Sequence, residues 1–398
     1  MASQSVGARA RNTGSELLER LATSTVRSPL TMVGIIVLAV IIYQAGKTIA
    51  AGNYTLETFV RQLIFGLAQG SVYALIALGY TLVYGILFMI NFAHGEVFMG
   101  GTYVGFFVID ALSKIIVDPE NEISFLDQNP LLALIAVFAV AIATSVTIAI
   151  GLERIAYRPL RKAPRLVPLI TAIGASIFLQ QAFRGLFGSS PKVYPNVHFY
   201  ILPQIFNVEC AAVEGVETCL GLDLVSGRYP VELAGIEIIF RPIYFLVFIT
   251  AIAMMLGLWF FVQRTKTGKA MRAVAEDKNT AALMGINVDA VIVSTFVLGA
   301  ILAGAAGVLF ALYNRQVTHM MGFIPGLKAF TAAVLGGIGN IPGAAVGGFF
   351  LGIIESVAPS LLDIPTQLKD VIAFGMLVLV LIFRPSGILG EVLSEKKA

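Results

Sequence analysis

The sequence predicts an all-α polytopic membrane protein with about ten membrane segments and both termini in the cytoplasm. Three observations lead there. The 398 residues are 57% hydrophobic and only 13% charged, and the mean hydropathy is +0.86, more apolar sequence than a soluble core absorbs. Long apolar runs recur along the chain. Basic residues gather in short polar stretches between those runs, which orients them by the positive-inside rule. The 39 glycines suit helices that pack closely through small residues. A formal charge of +3 carries no nucleic-acid signature, so the medium and partners expected are lipid and protein.

Residues 1–29 are polar and carry Arg9, Arg11, Arg20 and Arg27, which predicts a cytoplasmic tail with an interfacial turn at Leu17–Leu21. Leu30 to Ala51 follows as a retained first span, longer than the apolar part of a signal peptide. Residues 30–58 thus read as an extra N-terminal span and an external link. The tripeptide Asn53-Tyr-Thr55 matches a glycosylation pattern that often arises by chance. Leu63–Ile90 is the next apolar stretch, with Gly66 and Gly70 spaced for close helix contact.

Asn91-Phe-Ala-His-Gly-Glu96 then precedes another apolar run to Val117. Polar groups beside apolar runs are costly unless satisfied, which suggests a gate or packing site at Asn91, His94 and Glu96. The competing reading is a wet hairpin at the cytoplasmic surface.

Lys114–Asn129 is acidic and reads as external, and Leu131–Leu152 returns. The basic stretch Glu153–Arg165 lies inside, and Leu166–Phe187, which contains Gln180 and Gln181, goes out again. Residues 188–237 read as a long external polar loop in which Cys210 and Cys219 are placed to close a local disulfide, with two free thiols as the alternative.

Between the apolar segments Ile238–Val262 and Val288–Tyr313 lies a polar island, Arg264–Asn287, with five basic residues that place it inside. Asn279 or Thr280 is expected to N-cap a short helix, Ala281–Met284, which Gly285 ends in the left-handed conformation. Either a partner grips this helix, or it is incidental to a basic loop. Farther on, Lys328–Gly337 and Pro342–Val357 flank Gly339-Asn-Ile-Pro-Gly343. The first arm is too short to span, which predicts a short broken hairpin built around Gly336, Gly337, Gly339, Pro342 and Gly343, with Glu355 a lone acid. Gln367–Phe383 returns to the cytoplasm.

Thr267-Gly268-Lys269 ends like a Walker A loop, but Gln263 stands where the first glycine belongs and Ala270 where the metal-ligating hydroxyl belongs. Three histidines and two cysteines offer no metal-ligand spacing, and no nucleophile motif is present. No enzyme, cofactor or metal is expected in this chain.

Several runs are more specific than generic membrane helix. They are Gly70-Ser-Val-Tyr-Ala-Leu-Ile-Ala-Leu-Gly-Tyr80, Ile90-Asn-Phe-Ala-His-Gly-Glu-Val97, Glu153-Arg-Ile-Ala-Tyr-Arg-Pro-Leu160, Ala273-Val-Ala-Glu-Asp277, Leu283-Met-Gly-Ile-Asn287 and the stretch Lys328–Gly343. Together, in this order, they resemble the inner-membrane permease of the branched-chain amino-acid ABC importer, over roughly Phe59 to Gly390. The resemblance implies a permease domain at 59–390, with 188–237 an external insertion and 391–398 a cytoplasmic tail. It implies a fold similar to the vitamin B12 and sugar importer permeases, in a bacterial inner membrane. The implied partners are a second related permease, two ATPase subunits that bind ATP and Mg²⁺, and an external substrate-binding protein.

Residues 263–287 become the coupling loop, with Arg272, Glu276, Asp277, Ala281, Ala282 and Gly285 at the ATPase contact. The loop is one residue shorter than the commoner spacing. A urea or amide importer permease shares the Asn-x-Ala-His-Gly-Glu and Gly-Gly-x-Gly patterns, although Tyr80-Thr-Leu-Val-Tyr84 favours the amino-acid branch. A channel or secondary transporter is the reading from another class. It is disfavoured by the absence of a clear internal repeat and by few buried charges.

Overall fold

The computed structural model describes residues 29–118, 123–161, 163–164, 166–201, 207–212, 215–220, 222–233, 236–384 and 386–390. The tail, including the turn expected at Leu17–Leu21, lies outside these. Two compact units are present. One holds α1 (Pro29–Ala50), the turn that follows it and Ala358–Thr366. The other runs from Glu57 to Val357 and resumes at Gln367.

The second unit contains α2 (Leu56–Leu87), α3 (His94–Lys114), α4 (Pro130–Gly151), α5 (Leu166–Phe187), α6 (Pro242–Arg264), α7 (Lys266–Glu276), α8 (Lys278–Leu283), α9 (Val288–Asn314), α10 (Phe323–Gly336), α11 (Ile341–Leu361) and α12 (Lys369–Phe383). Among the described residues, eight helices are long and apolar enough to cross a membrane; α10 is a shorter apolar helix. α1 is a further apolar helix of 22 residues, so the helices are compatible with the expected number of segments. The predicted runs agree with the helices to within a few residues, except that α2 starts seven residues before Leu63.

The helices sort into a centre and a shell. The apolar window of α2 is 83% buried and that of α9 78%, whereas α12 is 6% buried. A helix apolar on all sides yet exposed faces lipid, so α4, α5, α6 and α12 form the outer ring. Glycine sets how closely the centre packs. Gly66 and Gly70 of α2 lie against Gly348, Phe349, Gly352 and Ile353 of α11, and Gly347 lies against Ala332 of α10. The small-residue spacings seen separately in the sequence are two sides of one seam.

The broken hairpin differs from expectation in its second arm. α10 has 14 residues, but α11 has 21 and is long enough to span. Gly337 closes α10 with φ +104°, Asn340 Oδ1 accepts from the Gly343 N–H at 3.1 Å, and residues 386–390 complete the turn. The Ile388 and Leu389 N–H groups donate to Leu335 and Gly336 carbonyls at 2.7 and 3.1 Å. Asn340 Nδ2 donates to the Leu389 carbonyl at 2.8 Å.

Residues 188–241 contain more regular structure than a polar loop. Asn207–Ala212 pairs with Gly215–Leu220, and Tyr229–Leu233 pairs with Ile236–Phe240. Cys210 stands opposite Glu217 and Cys219 opposite Val208 on adjacent strands. Asp223 organises the base of this layer. Its Oδ1 accepts the Phe199, Val225 and Ser226 N–H groups at 3.0, 3.0 and 3.1 Å, and its Oδ2 meets His198 Nδ1 at 2.9 Å. Buried Tyr194 ties the layer to α3, its hydroxyl donating to the Thr102 carbonyl at 3.1 Å.

Two predictions follow from this packing. A Cβ at Gly70 would come 2.8 Å from the Phe349 Cα and 2.9 Å from the Gly348 carbonyl oxygen. Backbone cannot yield as a side chain does, so Gly70→Ala is expected to destabilise by about 1–3 kcal/mol, read as a lower thermal midpoint in detergent. The second concerns pH. The bond to Asp223 raises the His198 pKa, against burial. Burial alone would raise Asp223, but His198 and the three backbone N–H groups outweigh it and lower its pKa. The histidine contribution is full below about pH 6.5 and lost as pH rises through its raised value. The aspartate contribution is present above about pH 3.9 and lost as pH falls through its lowered value. Hydrogen exchange at residues 197–200 and 222–226 should therefore be slowest, after correction for intrinsic rates, between these limits. A flat profile contradicts the assignment.

Candidate functional site: a buried polar cluster and a capped helical island

α3 starts inside the helix bundle. His94 packs edge-on against Tyr80 at 5.1 Å and lies against Gly79 and Gly299. Gly79 is eight residues from the end of α2, Ser176 ten residues into α5 and Gly299 eleven residues into α9. At 1.5 Å per residue each is about 12–16 Å from an end of its helix. The competing reading, in which His94 and Glu96 are wet, is overturned by their burial. Asn91, His94 and Glu96 are all buried, Glu96 completely. The chain re-enters the bundle through residues 88–93 before α3 begins.

Each polar group there meets a specific neighbour. Glu96 Oε1 accepts from Gln180 Nε2 at 2.7 Å and from Ser176 Oγ at 3.0 Å, both on α5. Its Oε2 has no hydrogen-bond partner among the described residues and lies beside Gly322, where an added Cβ would be 2.6 Å away. Gly322 is the N-cap of α10 and offers no capping side chain. The carboxyl group thus sits beside the start of α10. Asn91 Oδ1 accepts from the Tyr157 hydroxyl at 2.5 Å, and that ring stacks on Phe296 at 5.7 Å. A π-helical turn, Leu152–Tyr157, ends α4 and sets Tyr157 in this position.

A second buried polar group was missed as a site. Lys328 of α10 meets Glu355 Oε1 at 2.5 Å and Asp370 Oδ1 at 2.6 Å. Glu355 is therefore not a lone acid. With Glu96 and Glu153, Lys328 and Glu355 make several deeply buried ionisable residues, against the expectation of few. The signal was available, since an ionisable group inside an apolar segment calls for a partner.

The island folds into two helices rather than one. Thr265 caps α7 by accepting from the Gly268 N–H at 3.0 Å. Met271 and Val274 bury its apolar stripe, and Arg272 bonds back to Gln263 of α6. The cap of α8 is Asp277, not Asn279 or Thr280. Its Oδ1 accepts the Asn279 and Thr280 N–H groups at 2.8 and 3.2 Å, and its Oδ2 accepts the Thr280 hydroxyl at 2.6 Å. An aspartate with both oxygens free outcompetes its neighbours and starts the helix at Lys278. Those bonds, the Thr280 hydroxyl first, lower the Asp277 pKa.

Gly285 adopts φ +84°, as expected of the stop. Ala281 is buried and Ala282 exposed, while Leu283 and Met284 are 88% and 79% exposed. Glu276 is the last residue of α7. Lys278 lies over the Phe88 ring at 5.8 Å, so α8 touches the start of the re-entrant segment. Arg161 joins buried Glu153 to Asp289 at the start of α9, and Arg158 adds a second bond to Asp289 at 2.7 Å.

The structure brings Asn91, His94 and Glu96 together in the bundle and gathers the island residues on α7 and α8. The glycine hairpin lies beside the bundle residues through Phe330 of α10, which contacts Phe92 and Tyr80. Among the described residues no group of three potential metal ligands occurs.

Comparison with known proteins matches residues 62–381 to the family described as branched-chain amino acid transport system / permease component. The chain is 43% identical to the high-affinity branched-chain amino acid transport system permease protein BraD of Pseudomonas aeruginosa, covering 85% of this chain and 98% of the relative. It is 42% identical to the corresponding permease protein LivH of Escherichia coli K12, covering 85% and 97%. A shorter stretch, 34% of this chain, is 33% identical to the autoinducer 2 import system permease protein LsrC of Yersinia enterocolitica. No solved structure matches significantly.

Tyr157→Phe removes the donor to Asn91 and leaves a buried acceptor unpaired. The expected cost is about 1–3 kcal/mol, read as a lowered thermal midpoint. An unchanged midpoint would mean that the Asn91–Tyr157 bond does not hold residues 88–93.

Proposed function

This chain belongs to the branched-chain amino acid transport permease family, and on that premise we propose that it forms half of the translocation path of an ABC importer for branched-chain amino acids. The similarity to the Pseudomonas and Escherichia permeases along nearly their whole length carries this reading. The other half is a second, related permease. Of two ATPase subunits that bind the ATP and Mg²⁺, one docks on the island, and a binding protein delivers substrate to the opposite, external face. The membrane is the bacterial inner membrane, with both termini in the cytoplasm. No chemistry is asked of this chain; its family is one of transport permeases.

Coupling requires that ATPase closure prefer one conformation of the permease, because a bound state shifts an equilibrium only by its differential affinity. Exposed Leu283 and Met284 supply the grip, and the caps at Asp277 and Gly285 make α8 a rigid lever. Lys278 on Phe88 then transmits motion to residues 88–94, and so to the mouth of α3. Phe88 itself has φ +54°, an uncommon conformation for a bulky residue that often marks a switch. Glu96 is bonded to α5 and lies beside the start of α10, so moving α3 moves both.

Reconstitution with the partner subunits should give ATP-dependent uptake of leucine and none of urea. Uptake of urea instead, or ATP-independent flux, would overturn the proposal. Gly285→Val penalises the left-handed stop and should lower ATPase association or transport while the purified membrane fold survives. Glu96→Gln should change the uptake rate and leave the binding protein's affinity and the order of substrate preference untouched. A changed preference would place Glu96 in contact with the substrate.

A further inference from the structure

Three arginines gather where α6 begins and α9 ends, on the face opposite the island. Arg241 is the residue before α6, and Arg315 is the residue after α9. Arg228 belongs to the same cluster: burial first, then Arg241 and Arg228, lower the Arg315 pKa, while Asp223 acts against them. Arg315 is pinned, its Nη1 donating to Asn196 Oδ1 and its Nη2 to Ser226 Oγ at 3.1 Å. Asp223 does little to neutralise the cluster, because it is occupied by His198 and three backbone N–H groups.

Arg241 has capacity left over. Its Nη1 donates to the Tyr244 hydroxyl at 2.9 Å, and its Cζ lies 5.2 Å from the centre of that ring. Its Nε is buried and has no acceptor among the described residues. With Nη1 spent on Tyr244, the unspent edge is Nε–H with Nη2–H, which grips a carboxylate through two parallel bonds. A buried donor without an acceptor is costly, so the edge calls for an anion. Arg241 as a whole is half-buried, within reach of a solute.

The surroundings narrow the choice of anion. Tyr244 meets Phe65 and Tyr313 edge-on at 5.6 and 6.3 Å, so the guanidinium stands on an aromatic floor. The Tyr313 hydroxyl is also buried without a partner among the described residues, a second unused donor on that floor. Glu355, the acid that interacts with Tyr313, is held by Lys328. An inorganic anion gains nothing from aromatic rings. An acidic protein surface meets exposed cations such as Arg228 more readily than a recessed one. A small carboxylate joined to an aliphatic group gains from both the arginine and the floor.

We propose that Arg241 receives the carboxylate of the free amino acid as it enters the permease, its aliphatic side chain resting against Tyr244 and Phe65. The identity of the amino acid rests on the importer reading above; the carboxylate site rests on the arginine.

The test is phenylglyoxal labelling of the assembled permease–ATPase complex, without ATP or binding protein, read by mass spectrometry of the peptide that carries Arg241. Leucine should slow the labelling of Arg241. Leucinol, which has the same side chain and ammonium but no carboxylate, should not. Arg241→Gln should weaken leucine binding to the complex about tenfold, as expected of a lost charge-assisted pair. No protection by leucine, equal protection by leucinol, or unchanged binding in Arg241→Gln overturns the proposal. An Arg241→Gln complex that binds leucine normally but no longer captures the binding protein also overturns it, since the carboxylate then belongs to that protein. The labelling needs neither a variant nor transport. Protection that persists where leucine uptake fails would therefore strike the importer reading and keep this site.

Discussion

Backbone and side-chain polar groups in a helix bundle surrounded by lipid must find partners inside the protein, and here that requirement is concentrated at the start of one helix. α3 begins in the interior, so its first turn, Ala93 and three polar side chains are all removed from water. Glu96 answers part of this by holding Ser176 and Gln180, and Asn91 answers another part by accepting from Tyr157. Because these partners lie on α4 and α5, satisfying one helix start fixes how three helices stand against each other. Tyr80, Gly79 and Gly299 then have to leave room for the His94 ring, which fixes α2 and α9 as well.

The same logic joins the island to the bundle. Asp289 is an exposed carboxylate at the start of α9, yet through Arg161 it reaches the wholly buried Glu153. A buried charge whose partner can be pulled from outside is a costly group to disturb. The start of α9 thus touches the end of α4 through Asp289, and the island touches residue 88 through Lys278.

Much of the fold was legible because a span announces itself through length and apolarity, features that tertiary packing does not alter. The runs Leu166–Phe187 and Val288–Tyr313 match α5 and α9 almost residue for residue. The island's cap was misplaced because Asn279, Thr280 and Asp277 are all competent N-caps, and only the bonds made by the carboxylate choose between them. The depth of Glu96 was not legible. A short polar motif between two apolar runs looks the same whether the chain turns at the membrane surface or re-enters the bundle, and only contacts to residues about 80 positions away decide it. Lys328 and Glu355 each signalled the need for a partner, but that they pair with each other, 27 residues apart, was hidden by the break between their helices. The strands at 207–240 carry too little alternation to stand out from a loop rich in proline.

The hairpin of α10 and α11 has a property that concerns how the protein is made. Its turn is finished by residues 386–390, which supply the N–H groups for the Leu335 and Gly336 carbonyls and accept from Asn340. Those residues leave the ribosome only after α12 has been synthesised. Until then the end of α10 has carbonyls without partners, too polar to rest in lipid and too short a helix to span it. The turn of the hairpin therefore completes its hydrogen bonds only after α12 has been made. Quality control that surveys nascent membrane proteins would find its exposed target there, in a chain otherwise already inserted.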